Sequence, residues 1–493
     1  MSWLVTAPLL IPLAGALLAY FVPRPWIGVA GAATLLAAGT LLLVAVIRHG
    51  VLVAEVGGWP APFGISLVAD HLSAFMIVLA GLLGVSVTAY ALVDVDRQQR
   101  RLGFDPLLQI LLAGTCAAFL TGDLFNLYVW FEVMLIASFA LLALAGGRRT
   151  LDGAVKFVTL NLIATMLLLA AIGLLYGLTG SLNMADLHQR VQGHEQPALL
   201  SAIAIAFLVA LGVKAAIFPL FFWVPAAYPA APVAVAAVFA GLVTKIGIYA
   251  LLRVFTLIFT HDVGYTHTVM LVVAALTMVS GGLGAIAQHE LRRILAFHSI
   301  SQVGFMVLGL ALFTPLALAG AIFFMAHHSV VKANLFLLSG TAARLGGSFE
   351  LARLGGLYRA HPLLAYTFLV SALSLAGLPP FSGFWAKLLL VQATIDKGLA
   401  LATAVALGTG LITLLSMSKI WLTVFWGPLP DTGRLRVLPG GQLALLMIPV
   451  AALAALTLAA GLWFEPLFVL TARAADGLLD PTAYVHAVLG ATP

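Results

Sequence analysis

The chain has 493 residues, of which 62% are hydrophobic and 9% are charged. Roughly a quarter of the residues of a soluble domain are charged, so this composition excludes an ordinary soluble fold. The net charge of +6 comes from basic residues scattered between apolar runs, a pattern typical of loops between membrane spans and not of a nucleic-acid-binding surface.

Apolar stretches of about 20 residues, each long enough to cross roughly 30 Å of hydrocarbon, recur along the chain and predict an all-α, polytopic membrane protein. A transmembrane β-barrel would instead show alternating segments of about ten residues. The first stretch, Trp3 to Val22, has no basic region before it and no small-residue cleavage site, so we expect a retained helix. We predict about fourteen transmembrane helices, beginning near residues 3, 27, 70, 106, 125, 155, 199, 233, 267, 293, 316, 363, 400 and 441.

The positive charges predict the orientation of these helices, because basic residues are enriched on the cytoplasmic side of a membrane. An even number of spans places both termini on one side. With the N-terminus outside, the outside segments would contain Arg48, Arg190, Arg253, Lys397 and Arg473. The inside loops would contain Arg24, Arg97, Arg100, Arg101, Arg148, Arg149, Lys156, Arg292, Arg293, Arg344, Arg353, Arg359, Arg434 and Arg436. We therefore expect a multi-pass protein of the cell membrane with both termini outside.

The other five basic residues are all lysines within apolar runs, and no arginine is expected there. A buried lysine can lose its proton near neutral pH, whereas arginine stays charged under any biological condition. Lysines at these positions therefore favour proton transfer, except that the last of them is expected to extend to the membrane interface. The five are Lys214, Lys245, Lys332, Lys387 and Lys419.

Two of the predicted spans contain a break. The first break is expected at Pro219, and the second at Pro379, Pro380 and Gly383. A lysine lies close to each break in the sequence. Proline removes a backbone donor, and irregular backbone within a membrane survives only when it is buried or lines a hydrated cavity. Broken helices at corresponding places in two halves indicate a transport site, and kinks that serve packing alone are the alternative.

Glu132 is the one acidic residue that clearly lies within a predicted span. Burying a carboxylate or an ammonium in a bilayer costs at least ~2.5 kcal/mol, so such groups face partners or water and mark ion or proton paths. Lys214 is the expected partner of Glu132, and separating the two would let the lysine release its proton. Lys245, on the following span, would lower the proton affinity of Lys214 by repulsion. A static structural salt bridge is the alternative.

His327 and His328 precede Lys332 in an apolar run, and the four-residue spacing puts His328 and Lys332 on one helix face. Histidine changes charge near neutral pH, so both are candidates for a proton relay, with a hydrogen-bonded structural role as the alternative. No third ligand at suitable spacing supports a zinc site. Because the chain has a single cysteine and no Walker, Rossmann or CxxC motif, we expect no metal and no cofactor.

Six segments of the sequence resemble the antiporter-like family shared by Mrp cation/proton antiporters, respiratory complex I and membrane-bound hydrogenases. Complex I members usually carry His and Asp in the segment that here reads Phe218–Tyr228, where Phe and Ala stand, so the Mrp branch is more similar. Together the segments are highly specific. They are Val129–Leu135, Gly212–Leu220, Leu242–Tyr249, Arg293–Gly304, His327–Lys332 and Leu378–Lys387.

The resemblance implies a single membrane domain with two inverted five-helix repeats, each containing one broken helix. The first repeat would cover about residues 106–256 and the second about 267–426, with flanking helices in 1–95 and 441–493. It also places the family's proton path on Glu132, Lys214, Lys245, His327, His328, Lys332 and Lys387.

We therefore expect a secondary transporter subunit, not an enzyme, that moves protons inward while Na⁺ or another monovalent cation leaves. It would act with other membrane subunits in the lipid bilayer and would not bind nucleic acid. The alternative is a proton-pumping membrane subunit of a complex I-like or hydrogenase redox complex. A structural scaffold is disfavoured, because a scaffold does not need five intramembrane lysines.

Overall fold

The computed structural model describes residues 2–430 and 435–490, and these are mostly helical. Two π-helical turns, Phe239–Val243 and Trp421–Trp426, continue neighbouring α-helices. The α-helices are α1 (Ser2–Phe21), α2 (Pro25–His49), α3 (His71–Asp94), α4 (Arg97–Arg101), α5 (Phe104–Leu120), α6 (Leu124–Ala143), α7 (Arg148–Thr179), α8 (Met184–Val191), α9 (Pro197–Ala215), α10 (Trp223–Ala227), α11 (Val233–Val238), α12 (Thr244–Leu257), α13 (Val263–Ile286), α14 (Leu291–Leu312), α15 (Pro315–Gly346), α16 (Leu357–Ala360), α17 (Pro362–Ala376), α18 (Ser382–Asp396), α19 (Ala400–Ile420), α20 (Gly440–Leu462), α21 (Phe464–Leu479) and α22 (Thr482–Leu489).

The predicted set of apolar spans is present. Twelve helical segments are long and apolar enough to cross a bilayer, and the shorter apolar helices α5 and α17 complete the fourteen predicted positions. Each begins within four residues of its predicted start except α7, which begins at Arg148 instead of near 155. The extra turns of α7 are hydrophilic, so hydropathy alone does not detect them. The prediction of an all-α polytopic membrane protein is confirmed.

The helices that hold most of the candidate site residues form the centre of the bundle. In α14, α15 and the segment Val233–Leu257, 94% of the most apolar stretch is buried, against 33% in α1 and α2. The packing is close: a Cβ atom added at Gly281 of α13 would lie 2.3 Å from the backbone nitrogen of Ser301 in α14. Polar groups on the central helices are therefore shielded from lipid.

Both predicted helix breaks are present. α9 is followed by Ala216 with a left-handed φ of 65°, and α17 is followed by Gly377 with a φ of 91°. The irregular segment after α9 contains Pro219, and the one after α17 contains Pro379 and Pro380. The two breaks interrupt the backbone at the places that the proline pattern predicts.

Gly383 belongs to the first turn of α18 and not to the break itself. A Cβ atom at this position would lie 1.7 Å from the carbonyl oxygen of Ser374 in α17 and 2.9 Å from the ring of His327 in α15. The backbone nitrogen of Gly383 donates a hydrogen bond to the Ser374 hydroxyl at 3.3 Å. A glycine at this position thus allows α18 to approach two neighbouring helices.

A short β-hairpin that the sequence did not predict lies between α2 and α3. Strand β1 (Leu52–Glu55) pairs antiparallel with strand β2 (Ser66–Ala69). Asp70 follows β2 directly, and its carboxylate accepts a hydrogen bond from the backbone nitrogen of Ser73 at 2.8 Å. The hairpin therefore leads into a capped N-terminus of α3.

The prediction that no arginine lies within a span is wrong. The charge pattern assigns Arg253 to an outside segment, but this residue lies in α12 with only 4% of its surface exposed. Its guanidinium forms an ion pair with Asp70 at 2.7 Å. The carboxylate comes from a distant part of the chain, so a local reading of hydropathy does not detect it. Arg434, also used to predict the orientation, lies outside the described residues.

The close approach at Gly383 generates a prediction for stability. Gly383→Ala should lower the melting temperature and the abundance of the protein, because overpacking of a well-packed interior costs typically ~1–3 kcal/mol. Gly408→Ala in α19 is the matched control, since a Cβ atom at Gly408 meets no atom within 4 Å. Equal melting temperatures for the two variants in detergent would contradict the close packing.

Candidate functional site

Lys214 lies in the last turn of α9, immediately before the first helix break, and is 5% exposed. Its ammonium donates a hydrogen bond to the hydroxyl of Thr165 in α7 at 2.9 Å and lies 4.5 Å from the ring centre of Phe131. Asn161 and Ser138 also line a small cavity of about 20 Å³ beside it. A cavity of this size can hold one water molecule.

Glu132, the predicted partner of Lys214, does not form a static ion pair with it in this structure. It lies on α6, is partly exposed, and one of its carboxylate oxygens is buried without a hydrogen-bond partner among the described residues. The ion pairs formed by the described residues do not include Glu132 with Lys214. Phe131, the neighbour of Glu132 in the chain, contacts the lysine instead. The charge of Glu132 nevertheless acts on Lys214 across this separation, so the pairing and the role of Glu132 stay predictions.

Lys245 is fully buried at the start of α12, directly after the π-helical turn Phe239–Val243. Its ammonium donates to the carbonyl oxygen of Ala240, within that turn, and approaches the hydroxyl of Thr244 at 3.4 Å. Single π-helical turns within α-helices are frequent at functional sites.

Gly247 brings the helix of Lys245 onto the turn of Lys214. A Cβ atom at Gly247 would lie 2.5 Å from the backbone nitrogen of Ala215, the residue after Lys214. The backbones that carry the first two lysines are therefore in direct contact, as the prediction of a neighbouring pair requires.

Lys332 is fully buried in α15, where its ammonium donates to the carbonyl oxygen of Leu295 in α14 at 2.6 Å. His328, one turn earlier on the same helix, is also fully buried, and neither of its ring nitrogens has a hydrogen-bond partner among the described residues. His328 lies within the electrostatic field of Lys245 and Lys332. His328 and Lys332 thus share one face of α15, as their spacing predicts. Both lie near enough to Lys245, in the first half of the chain, for its charge to act on them.

His327 faces the second helix break. One ring nitrogen, Nδ1, lies 2.8 Å from the hydroxyl of Ser382 at the start of α18, and Nε2 has no partner among the described residues. His327 also lines an apolar cavity of about 290 Å³ between α3, α15 and α20. It therefore contacts the break without forming an ion pair.

Lys387 lies on α18 and is 8% exposed. Its ammonium donates to the carbonyl oxygens of Leu375 and Ala376 at 3.0 and 2.8 Å, which are the last carbonyls of α17 before the break. The negative end of a helix dipole favours a cation at this place. A cavity of about 300 Å³ adjoins Lys387 and reaches the surface of the bundle, where Leu407 and Leu411 are more than half exposed.

His298 is a candidate that the sequence reasoning missed. It lies on α14, is fully buried, and its Nε2 is 2.6 Å from the hydroxyl of Ser416 in α19. The charges of Lys332 and Lys387 both act on this ring, so His298 is near both lysines. One turn later, Gln302 donates to the hydroxyl of Thr413 at 3.3 Å, which extends the polar contacts between the two helices. The sequence does contain a signal for this residue, because a histidine within an apolar run is unusual.

Lys419 has a different environment from the other four lysines. It is only partly buried, and its ammonium donates to the carbonyl oxygens of Ile286 and Gln288 at 3.1 and 2.8 Å. Ile286 is the last residue of α13 and Gln288 follows it by two residues, so the ammonium caps the C-terminal end of this helix. The contacts fit a structural role at a helix end.

The arrangement is a series of buried, titratable cations whose neighbours are hydroxyl and carbonyl oxygens. Neutral partners of this kind stabilise an ammonium but do not hold its charge as a carboxylate does. In the part of the chain that the structure describes, no group of three His, Cys, Asp or Glu residues could hold a metal ion. The chemistry that these residues can perform by themselves is transfer of protons.

Three comparisons with known proteins agree with the fold and with the resemblance. A family model described as "NADH:quinone oxidoreductase/Mrp antiporter, TM" matches residues 121–413. The chain is 45% identical to the D-type subunit of the Na⁺/H⁺ antiporter of Alkalihalophilus pseudofirmus, over 99% of this chain and 100% of that one.

Two solved structures superpose with the same TM-score of 0.92. One is the Mrp complex from Dietzia sp. DQ12-45-1b, with 36% identity over 99% of this chain and 100% of the matched chain. The other is the membrane-bound sulfane sulfur reductase, an archaeal respiratory membrane complex, with 26% identity over 98% of this chain and 99% of the matched chain. The fold is thus common to both kinds of complex. In sequence, the chain is more similar to the matched Mrp chain than to the matched reductase chain.

Proposed function

Because this chain belongs to the NADH:quinone oxidoreductase/Mrp antiporter family, we propose that it is the D-type subunit of a multisubunit Na⁺/H⁺ antiporter and translocates protons. The observation that carries the proposal is the series of four buried lysines in the bundle, with three buried histidines on which the charges of Lys245, Lys332 and Lys387 act. Secondary transport is driven by ion gradients, and proton entry would accompany the exit of Na⁺ or another monovalent cation through the assembled complex.

The redox alternative has less support than the antiporter function. The sulfane sulfur reductase shares the fold at the same TM-score, but its identity of 26% is lower than the 36% of the Mrp chain. The relative at 45% identity over nearly the whole chain is named as an antiporter subunit. We therefore place the driving force in a cation gradient and expect the partners to be other membrane subunits of the antiporter.

The predicted inverted repeats are supported by an offset between the two halves. Helices α7 and α15 are both 32 residues long, and 315 minus 148 and 346 minus 179 both give 167. The isolated β-bridges Asp123–Asn183 and Glu290–Glu350 differ by the same offset, since 290 minus 123 and 350 minus 183 also give 167. We propose that the halves are inverted repeats, within about 106–256 and 267–426, which cross the membrane in opposite orientations.

The offset also relates the candidate site residues. Thr165, which binds Lys214, corresponds to Lys332, because 332 minus 165 is 167. Phe131, which contacts the same lysine, corresponds to His298, because 298 minus 131 is 167. Positions that surround a lysine in the first half thus carry titratable groups in the second half, which supports one proton path through both.

A cell-membrane location with both termini outside follows from the charge bias and is part of the proposal. In this orientation α18 runs from inside to outside, so Lys387 lies toward the exterior and would accept entering protons early. Transfer would continue through His298, Lys332 and His328 to Lys245 and Lys214. Glu132, at the other end, would accept or release protons near the surface of the subunit.

Substituting Lys214 by arginine tests whether this residue must release its proton. Lys214→Arg in the whole complex should lower cation/proton exchange by at least about tenfold, because arginine keeps the charge but cannot deliver a proton. Lys419→Arg should retain exchange, since a helix-capping cation need not titrate. Fluorescence dequenching in vesicles measures exchange, and full activity of Lys214→Arg at equal complex abundance would favour a static structural role.

Removing Lys387 tests whether the second half contributes to the path. Lys387→Ala should block exchange, and Lys419→Ala should leave most of it, although both substitutions remove an ammonium from an apolar run. Their exchange rates should be compared at matched complex abundance. An equal loss in the two variants would mean a general cost of lost charge and would contradict a specific role for Lys387.

His298 can be tested against a buried histidine that is not near the four buried lysines. His298→Ala should reduce exchange by at least about tenfold, because it removes a titratable group near both Lys332 and Lys387. His267→Ala in α13 is the matched control, since His267 is 4% exposed and contacts Phe313. If both variants transported at the wild-type rate, His298 would not be a member of the path.

A further inference from the structure

We propose that Asp70, Arg253 and Tyr249, covered by Tyr484, form a seal that separates Lys245 from the membrane side on which α3 begins. The charge bias predicts that this side is the outside. The inference rests on the proposed function, because a seal matters only where a proton path exists. The four residues come from the loop before α3, from α12 and from the C-terminal helix α22.

Lys245, Tyr249 and Arg253 lie on one face of α12, because their spacing is four residues in each step. Arg253 is therefore about 12 Å beyond Lys245 along the helix axis. A proton that moved between Lys245 and this end of α12 would pass both other side chains.

The ion pair between Arg253 and Asp70 closes the C-terminal end of this face of α12. The guanidinium of Arg253 lies 2.7 Å from the carboxylate of Asp70, and the two residues are 4% and 9% exposed. Burial raises the pKa of Asp70, but the charge of Arg253 and hydrogen bonds to Ser73 together bring it below its ordinary value. The pair therefore stays charged at neutral pH, and arginine cannot release a proton into the interior.

Tyr249 occupies the next position inward and offers no free proton. Its hydroxyl donates to the carbonyl oxygen of Phe119 in α5 at 2.5 Å and accepts a hydrogen bond from Arg253 at 3.2 Å. Tyr484 covers the pair from the other side, with its ring centre 5.1 Å from the guanidinium carbon. Both tyrosines are less than 5% exposed, so water is kept away from the ion pair.

The ammonium of Lys245 points away from this cluster. It donates to the carbonyl oxygen of Ala240 and approaches Thr244, both of which precede it in the chain. Arg253 follows it by two turns.

The test neutralises the pair without leaving one charge buried alone. In vesicles containing the whole complex, the Asp70→Asn/Arg253→Gln double variant should dissipate an imposed pH gradient at least about fivefold faster than wild type in the absence of Na⁺. Asp105→Asn/Arg100→Gln is the matched control, because it removes another 2.7 Å ion pair, which joins α4 to the first turn of α5. Vesicles with this control variant should not leak protons faster than wild type.

A third variant shows whether the leak uses the proposed path. Adding Lys245→Gln to the neutralised pair should return the leak to the wild-type rate. A double variant as tight as wild type, or a leak that persists without Lys245, would overturn the seal. The exchange rate of Lys245→Gln alone tests the proposed function separately, since normal exchange in that variant would refute the path and not the tightness of the pair.

Discussion

The interior of the bundle holds four ammonium groups that form no ion pair within the described residues, and this constraint shapes the surrounding backbone. An isolated buried charge costs several kcal/mol, so each ammonium needs hydrogen-bond acceptors nearby. The end of α17 supplies carbonyl oxygens to Lys387, the π-helical turn supplies one to Lys245, and α14 supplies one to Lys332. Lys214 instead uses the hydroxyl of Thr165, and Lys245 also approaches the hydroxyl of Thr244. Because these partners are neutral, a lysine can lose its proton without leaving a carboxylate stranded.

The sequence predicts the spans, the two breaks and the buried lysines, because hydropathy, proline and charge act locally. It does not predict contacts between distant segments, which depend on side-chain packing. For this reason it misses the pair of Arg253 with Asp70, and it does not predict that Phe131 and Thr165 lie against Lys214 while Glu132 acts on this lysine without a direct ion pair. His298 was missed because a histidine in an apolar run has no local feature that separates a relay member from a structural one.

The two proposed repeats differ in polarity. In the first half, Phe131 and Thr165 surround a single lysine beside the break. In the second half the corresponding positions hold His298 and Lys332, which adds titratable groups. The first half is also closed at the end of α12 by Arg253, the arginine that pairs with Asp70. A polar path that is richer in one half and sealed in the other would favour directional movement of protons.

If the buried lysines carry protons, they must change protonation during transport. Nitrogen-15 NMR of lysine side chains in the membrane-embedded complex measures this directly, with Lys245→Gln identifying the signal of Lys245. We predict that this nitrogen converts between ammonium and neutral amine as the pH is moved across the range in which exchange operates. A signal that stays that of an ammonium throughout the same range would mean that Lys245 does not carry protons.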